Sequence, residues 1–325
     1  MSVSLPWHEA QSQVLLTRLR ENRFPHALLL TGRPGLGKHV FSGKLAEVLL
    51  CLERHADGSA CGKCRGCQLY RARTHPDLHE VNVLEDKKFI GVDQIRAISD
   101  YLSLKSQFGG YKIVIISPAD KMNINAANSL LKTLEEPPMW SLLILVTAHP
   151  ASLPPTIRSR CQQLSFVTPP KEVARAWLKE QGRNGDDLDL ALGLSGGAPL
   201  AALAVATGDW LERRQQIFEG FEKVLLNKAD PITTAAEWLK FDARATIYWL
   251  YSWITDMIRL RTGNDSERII NGDIGSRLQQ LSGVLTPQSW FKCLDEASDA
   301  WRYAESQVNT PLLFENLLVA WANRK

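Results

Sequence analysis

Residues 28–39 read Leu-Leu-Leu-Thr-Gly-Arg-Pro-Gly-Leu-Gly-Lys-His, and this stretch decides the predicted fold. The apolar run at 27–30 predicts a buried strand, and residues 40–50 predict a helix. Three glycines lie between them: Gly32, Gly35 and Gly37. A strand, a glycine-rich loop and a helix in this order form a P-loop, in which backbone N–H groups and the helix N-terminus bind phosphate oxygens. Lys38 adds a positive charge to this predicted nucleotide site.

The pattern departs from an active P-loop at its last position. An active loop has a Ser or Thr hydroxyl there to hold Mg²⁺, whereas this chain has His39. A P-loop ATPase also needs a carboxylate at the end of its third strand. The predicted third strand, 111–116, is followed by Ser117-Pro118, and the nearest acidic substitute is Asp120. We therefore expect no hydrolysis by this chain, whereas binding of ATP or ADP stays open, because the glycines and the lysine need no metal to attract phosphate.

A cysteine-rich segment follows the predicted P-loop helix, at residues 51–67. It contains four cysteines: Cys51, Cys61, Cys64 and Cys67. Two-residue spacers between the last three let neighbouring sulfurs turn towards one ion, and four thiolates complete a tetrahedral zinc site. Such a closed site has no open position for a substrate, so we predict a structural zinc rather than a catalytic one. His55 and His75 are near enough in sequence to leave the fourth ligand open.

Composition and charge are those of an ordinary globular protein. The 325 residues are 45% hydrophobic and 22% charged, which allows two or three domains with a substantial core. The formal net charge of +3 is too small to indicate nucleic-acid binding by itself. No apolar run reaches the ~20 residues of a membrane span, and residues 1–20 lack the hydrophobic core of a signal peptide. We therefore expect a cytoplasmic protein with no membrane contact, whose six cysteines are metal ligands or free thiols.

Alternating apolar strands and amphipathic helices predict an α/β fold with a parallel five-stranded sheet. The predicted strands are 27–30, 78–84, 111–116, 142–146 and 162–167. The predicted helices of this region are 9–22, 40–50, 92–107 and 123–136. Beyond Pro169-Pro170 the sequence reads as helical.

Three domains follow from this pattern. They are residues 1–167 with the zinc-binding insertion at 51–67, a small helical domain at 168–207, and an all-helical domain at 208–325. Seven tryptophans of the last domain have helical spacing beside Leu and Ile: Trp210, Trp238, Trp249, Trp253, Trp290, Trp301 and Trp321. That spacing predicts core residues rather than a ligand or DNA platform.

Five separate stretches resemble one protein family, in the same order along the chain. They are the P-loop at 32–39, the cysteines at 51–67, Gly-Val-Asp-Gln-Ile-Arg at 91–96, Asn-Ser-Leu-Leu-Lys-Thr-Leu-Glu-Glu-Pro-Pro at 128–138, and Ser159-Arg160-Cys161. The last two are highly specific to clamp loaders. On these residues the chain resembles the delta-prime family of bacterial DNA polymerase III clamp-loader subunits, in the AAA+ superfamily. The resemblance covers about half of the chain, and the remainder agrees only in length and helical character.

The resemblance implies a role for residues outside the P-loop. In this family the arginine of Ser-Arg-Cys is an arginine finger that reaches the ATP of a neighbouring subunit, so Arg160 is the predicted finger and Arg158 the second candidate. Thr147 stands where the family has a polar residue facing the γ-phosphate, and Leu200 replaces an arginine that would touch it. The expected protein is a non-hydrolysing stator, not an enzyme as an isolated subunit, which supplies Arg160 in trans while its complex loads the sliding clamp on primed DNA.

The resemblance also implies partners and domain roles. The expected partners are gamma/tau and delta subunits in a hetero-oligomeric ring, and the sliding clamp and primer–template DNA through that complex. Residues 168–207 would be a lid, and residues 208–325 would join a collar with the other subunits. Candidate DNA contacts are Arg96, Lys105 and Lys121, each of which is equally readable as an ordinary surface charge.

Two alternatives stay open at this point. One is a catalytically active clamp-loader ATPase of the gamma/tau type, against which His39 and Ser117-Pro118 argue. The other is a zinc-ribbon DNA-binding protein with an unrelated α/β body, for which salt-dependent DNA affinity of the chain alone would be diagnostic.

Overall fold

A computed structural model describes residues 5–183, 185, 187–207, 209–263, 269–304 and 309–324 of the chain. The chain divides into two compact units, Met1–Val173 and Ala174–Lys325. The finer division at 167 and 207 into P-loop, lid and collar domains stays a prediction.

The first unit is built on a five-stranded sheet. Its strands are β1 (Ala27–Thr31), β2 (Leu78–Val81), β3 (Lys112–Ile116), β4 (Ser141–Thr147) and β5 (Gln162–Ser165). The spatial order is β2-β3-β4-β1-β5, and every neighbouring pair is parallel, which confirms the predicted sheet. Both edge strands are shorter than predicted, because β2 pairs with β3 only as far as Ile116 and β5 pairs with β1 only as far as Thr31.

Helices connect these strands. They are α1 (Glu9–Arg20), α2 (Lys38–Leu50), α3 (Arg65–Arg71), α4 (Val92–Ser103), α5 (Ile124–Glu135) and α6 (Pro155–Arg160). The four longer helices were predicted, whereas α3 and α6 are too short to show a periodic pattern. The predicted extension of α4 to residue 107 was wrong. The buried Asp77 carboxylate accepts hydrogen bonds from the Ser106 hydroxyl and the Gln107 backbone N–H, both at 3.0 Å, and so holds the chain outside the helix.

One part of the core of the first unit lies between the sheet and helices α4, α5 and α6. Every residue of the three central strands β1, β3 and β4 is buried, as expected for parallel strands covered on both faces. Helix α5 contributes Ala126, Ala127, Leu130 and Leu134 to this core, and α6 contributes Ile157. Pro137-Pro138 begins two residues after the end of α5, and these prolines cannot continue the helix. The ends of α5 and α6 are thereby fixed on one packed face.

The described chain from residue 171 onward is helical. Its helices are α7 (Lys171–Glu180), α8 (Asp187–Leu194), α9 (Pro199–Ala206), α10 (Trp210–Leu225), α11 (Pro231–Trp238), α12 (Ala243–Thr262), α13 (Gly275–Ser282), α14 (Pro287–Tyr303) and α15 (Thr310–Ala322). Six of the seven tryptophans predicted as core are buried, and Trp301 is half-buried. Trp253 is fully buried, with its ring centroid 4.9 Å from that of Phe218 and 5.8 Å from that of Phe221. None of the helices in the described residues is long and apolar enough to cross a bilayer.

Candidate functional site: a P-loop, a cysteine cluster and an arginine pair

The P-loop has the backbone that its glycines predict. Gly32, Gly35 and Gly37 all have positive φ, at 140°, 77° and 82°. Gly32 cannot be replaced without movement, because a Cβ there would lie 2.4 Å from the backbone oxygen of Phe166. Phe166 is held in that place by its N–H, which donates to the Thr31 carbonyl at 2.8 Å. The loop therefore passes directly beneath the segment that follows β5.

Lys38 is turned towards its own loop. The side chain is buried, and its Nζ donates to the carbonyl oxygens of Gly32 at 2.6 Å and Arg33 at 2.8 Å. Desolvation lowers the pKa of the Lys38 amine, and the negative charge of Asp120 partly opposes this shift. A phosphate group would have to compete with two backbone carbonyls for this amine.

The structure joins two candidates that lie far apart in sequence, Asp120 and Thr147. The Thr147 hydroxyl, at the end of β4, donates to the Asp120 carboxylate at 2.5 Å and accepts from the His149 N–H at 2.9 Å. Thr147 is buried, and Asp120 lies in a single helical turn after β3. The carboxyl edge of the sheet thus brings three side chains near one another: Lys38, Asp120 and Thr147.

His39 is exposed at the start of α2 and faces a different space. It lines a cavity of about 760 Å³ between α2, α3 and β2. Charged side chains of both signs also line this cavity: Lys44, Glu47, Arg71, Arg73 and Glu80. Among the described residues, no group of three or more His, Cys, Asp or Glu side chains suited to a metal ion includes His39.

Two aromatic residues that sequence reasoning did not single out hold the P-loop from outside. Trp7 Nε1 donates to the Leu36 carbonyl at 2.9 Å, and His8 Nε2 lies 2.7 Å from the same oxygen. The His8 ring is buried edge-on against Phe41 and Phe166, with centroids 5.4 Å and 5.1 Å away. Desolvation lowers the pKa of His8, although its hydrogen bond to the loop opposes the shift. The only signal in the sequence was the adjacent pair of rings, which matches no motif.

The four predicted cysteines come together. Their Sγ atoms all lie within 4.8 Å of one another, and those of Cys51 and Cys64 are 3.8 Å apart. Sulfurs bound at ~2.3 Å to a tetrahedral zinc are about 3.8 Å apart, so the cluster has the size of such a site. Backbone N–H groups add support: Cys61 N–H donates to the Cys51 sulfur at 3.2 Å, and Cys64 N–H donates to the Cys61 sulfur at 3.3 Å. The four thiolates fit one zinc ion.

Local backbone geometry explains why the cluster forms. Cys51 is the first residue after α2, and Cys64 and Cys67 lie at the start of α3. The two helix ends approach so closely that a Cβ at Gly66 would lie 2.3 Å from the Leu50 carbonyl oxygen. Desolvation would raise the pKa of Cys64, but hydrogen bonds from backbone amides and from the Cys61 and Cys67 side chains together outweigh it and bring the pKa to about 6. Burial raises the pKa of Cys67, so a cation is needed to keep all four sulfurs as thiolates.

The structure groups Cys51, rather than His55 or His75, with the other three cysteines. Among the described residues, the group that can hold a metal contains only the four cysteines. His75 instead accepts a hydrogen bond at Nδ1 from the Asp77 N–H at 3.1 Å, and its ring lies 5.4 Å from that of Phe108. His55 is outside the cluster as well.

The two candidate finger arginines differ in their surroundings. Arg160 is the last residue of α6, and its Nη2 lies 2.6 Å from Oε1 of Glu135, the last residue of α5. Its Nη1 also donates to the Thr156 carbonyl at 3.0 Å, while 36% of the side chain stays exposed. Arg158 is exposed and forms no ion pair within the described part of the chain. The assignment of the finger stays a prediction.

The three candidate DNA contacts are scattered over the first unit. Arg96 is 69% exposed and lies 3.4 Å from the Asp93 carboxylate on the same helix. Lys105 is exposed, and Lys121 is half-buried beside β3. Their contact with DNA stays a prediction.

Fold and site together define an α/β P-loop protein with a parallel five-stranded sheet and a four-cysteine insertion. Two family models match the chain, "DNA polymerase III, delta subunit" at residues 7–170 and "DNA polymerase III, delta subunit, C terminal" at residues 208–323. The chain is 35% identical to the DNA polymerase III subunit delta' of Pseudomonas aeruginosa, over 98% of this chain and 97% of that protein. It is 34% identical to the same subunit of Escherichia coli, over 97% of this chain and 94% of that protein. The chain belongs to the family of DNA polymerase III delta-prime subunits.

A solved structure of a DNA polymerase III gamma subunit-related protein from Thermotoga maritima is also similar. It aligns with 95% of this chain and 99% of its own, at 19% identity and a TM-score of 0.46. The family assignment rests on the two nearly full-length relatives and the family models.

Proposed function

We propose that this protein is a non-hydrolysing subunit of the DNA polymerase III clamp loader, which provides an arginine finger to the ATP site of a neighbouring subunit. The first half of this proposal rests on the positions that would bind Mg²⁺ in an active P-loop site. His39 stands where the Mg²⁺-holding hydroxyl belongs, and Ser117-Pro118 stands where the carboxylates follow β3. Phosphoryl transfer depends on that metal to neutralise developing charge, so the site lacks the groups that would make it an ATPase.

The arrangement of Lys38 supports the same conclusion. Its amine is already bound to two loop carbonyls, and burial disfavours its charged form. The glycine backbone can still accept a phosphate, so nucleotide binding without turnover is compatible with the loop. The chain then serves as a rigid member of the ring rather than as a motor.

The second half of the proposal concerns Arg160. A guanidinium is always charged, and its planar fork matches phosphate oxygens. At 36% exposure the side chain can reach a neighbouring subunit while its backbone stays fixed at the end of α6. An arginine finger given in trans accelerates hydrolysis by about 10³–10⁵. In this proposal the second unit supplies the lid and collar, and the ring acts on the sliding clamp and primed DNA.

The zinc module has a structural role in this proposal. Four thiolates from the end of α2 and the start of α3 would hold the ion and leave no open position for a substrate. The ion would join these two helix ends and contribute to the stability of the first unit.

The finger is tested by Arg160→Ala in a reconstituted clamp loader, with Arg158→Ala as the matched control. We expect normal assembly and a depressed rate of ATP hydrolysis stimulated by clamp and DNA for Arg160→Ala, and near-normal rates for Arg158→Ala. Unchanged hydrolysis with Arg160→Ala would refute the assignment, and a loss with Arg158→Ala alone would transfer it to Arg158.

One observation favours the alternative of an active ATPase. Asp120 lies beside Lys38 and Thr147, where a carboxylate would be needed for a metal. Steady-state hydrolysis by the isolated chain with Mg²⁺ distinguishes the two functions. Our proposal requires no turnover above background; turnover that Asp120→Asn abolishes would establish the alternative.

A further inference from the structure

The contact between Arg160 and Glu135 brings together the two stretches of sequence that are most specific to the family. Glu135 belongs to the run at 128–138, and Arg160 belongs to Ser159-Arg160-Cys161. The Arg160 Nη2 to Glu135 Oε1 distance of 2.6 Å is that of a charge-assisted hydrogen bond. We propose that Glu135 is a positioning residue that holds the guanidinium of Arg160 in the orientation it needs for a neighbour's phosphate. This inference rests on the proposed role of Arg160.

Stability alone is a weak reason for this pair. The two side chains are 36% and 51% exposed, and ion pairs at such exposure contribute little to folding. Glu135 is also placed in the last turn of α5, where a negative charge is unfavourable because the helix C-terminus is itself negative. Arg160 lies in the last turn of α6, where its positive charge is favourable because the helix C-terminus is negative. The carboxylate is therefore better explained by what it does to Arg160 than by what it does for its own helix.

Both anchors of the guanidinium are rigid. Glu135 sits at the end of a helix whose buried face includes Leu130 and Leu134 and which Pro137 follows two residues later. The Thr156 carbonyl, 3.0 Å from Arg160 Nη1, lies one turn earlier in α6. One anchor on each Nη fixes the plane of the guanidinium as well as its position.

Two anchors leave the finger able to act. A guanidinium has five N–H donors, of which these contacts use two, so three remain for phosphate oxygens. A free arginine loses much rotamer freedom when it binds a phosphate, and prior ordering by Glu135 reduces that loss. The prior ordering of Arg160 stabilises the transition state of the neighbour's reaction. It should therefore raise kcat and leave the KM for ATP nearly unchanged.

The chain contains a matched control in the adjacent acid. Glu136 is exposed like Glu135, follows it directly after α5, and forms no ion pair within the described residues. Clamp loaders are reconstituted with Glu135→Ala, Glu135→Gln, Glu136→Ala, Arg160→Ala or the double variant Glu135→Ala/Arg160→Ala. For each, assembly is checked by gel filtration, and kcat and KM for ATP are measured with saturating clamp and primed DNA.

We expect Glu135→Ala to lower kcat about two- to fivefold with little change in KM, which corresponds to the loss of one exposed ion pair. Glu135→Gln keeps the shape and one acceptor oxygen, so its kcat should be intermediate, and Glu136→Ala should match the unmodified complex. In the Arg160→Ala background, Glu135→Ala should have no further effect, because its action passes through Arg160.

Three results would overturn the inference. Glu135→Ala could behave like Glu136→Ala, it could raise kcat, or it could remain harmful in the Arg160→Ala background. The first means that the finger needs no anchor, the second that Glu135 restrains it, and the third that Glu135 acts by another route. Failure of the proposed function has a different signature, since Arg160→Ala itself would then leave hydrolysis unchanged.

Discussion

The close contact between Gly32 of the P-loop and the backbone of Phe166 allows a direct test of what stabilises the first unit. We predict that Gly32→Ala destabilises the first unit far more than Gly109→Ala. Both glycines have positive φ, at 140° and 73°, so both substitutions introduce backbone strain. They differ in surroundings, because a Cβ at Gly32 would lie 2.4 Å from the Phe166 oxygen, while no heavy atom lies within 4 Å of a Cβ at Gly109.

The expected losses of stability follow from two contributions, the strain of the backbone conformation and the contact that the new Cβ would make. At Gly109 only the left-handed backbone conformation is penalised, by about 1–2 kcal/mol. At Gly32 the backbone lies in a region that is essentially restricted to glycine, at a cost of about 1–3 kcal/mol. The clash with the fixed backbone of Phe166 adds roughly 1–3 kcal/mol of overpacking. Gly32→Ala should therefore lower the free energy of unfolding by about 2–6 kcal/mol.

The measurement should report on the first unit alone, because the chain contains two compact units. Hydrogen exchange of peptides covering β1 (Ala27–Thr31) gives the free energy of opening at the strand that leads into the loop. We expect a greater loss of protection with Gly32→Ala than with Gly109→Ala, by the roughly 1–3 kcal/mol that the contact with Phe166 adds. Equal losses would show that strain decides the effect and that the contact with Phe166 carries no weight.

Three further predictions concern the metal, the pH dependence and the second unit. The purified chain should contain about one zinc, which Cys67→Ser should abolish and Cys293→Ser should retain, as metal analysis would show; retention by both variants would contradict the four-thiolate site. Because burial lowers the pKa of His8 below its ordinary 6.5, the unfolded chain binds the extra proton first, so unfolding free energy should fall as pH decreases below about 6.5. His8→Gln should reduce this slope, by up to about 1.4 kcal/mol per pH unit, in urea titrations; an unchanged slope would assign it to other groups. Trp253→Ala should cost about 3–5 kcal/mol in urea unfolding, whereas Phe291→Ala, at a 49% exposed site, should cost under about 1 kcal/mol; equal costs would contradict the core assignment.

Features that depend on short stretches of sequence could be predicted. Strands β3 and β4 are apolar runs of strand length, and their burial on both faces follows from that composition. The P-loop glycines and the four cysteines have fixed spacings whose chemistry does not depend on the rest of the chain. Local patterns also fixed the existence of the longer helices.

Features that depend on contacts between distant residues could not be predicted. The end of α4 is set by Asp77, about thirty residues from the backbone it binds. The Thr147 hydroxyl meets Asp120 from a separate strand end, and nothing in either sequence context marks the pair. The choice among His55, His75 and Cys51 as fourth ligand likewise required the folded positions of all three.

Helix α2 has a different anchor at each end. Its first residue, Lys38, is bound to the carbonyls of the phosphate loop, and the residue after its last turn, Cys51, belongs to the sulfur cluster. The thirteen residues of this helix span about 20 Å, so it acts as a strut between loop and cluster. The backbone of the loop therefore has a mechanical role that does not depend on nucleotide turnover. A change that displaced the loop would also move the helix that positions Cys51, so the geometry of the cysteine cluster depends on the backbone of the loop.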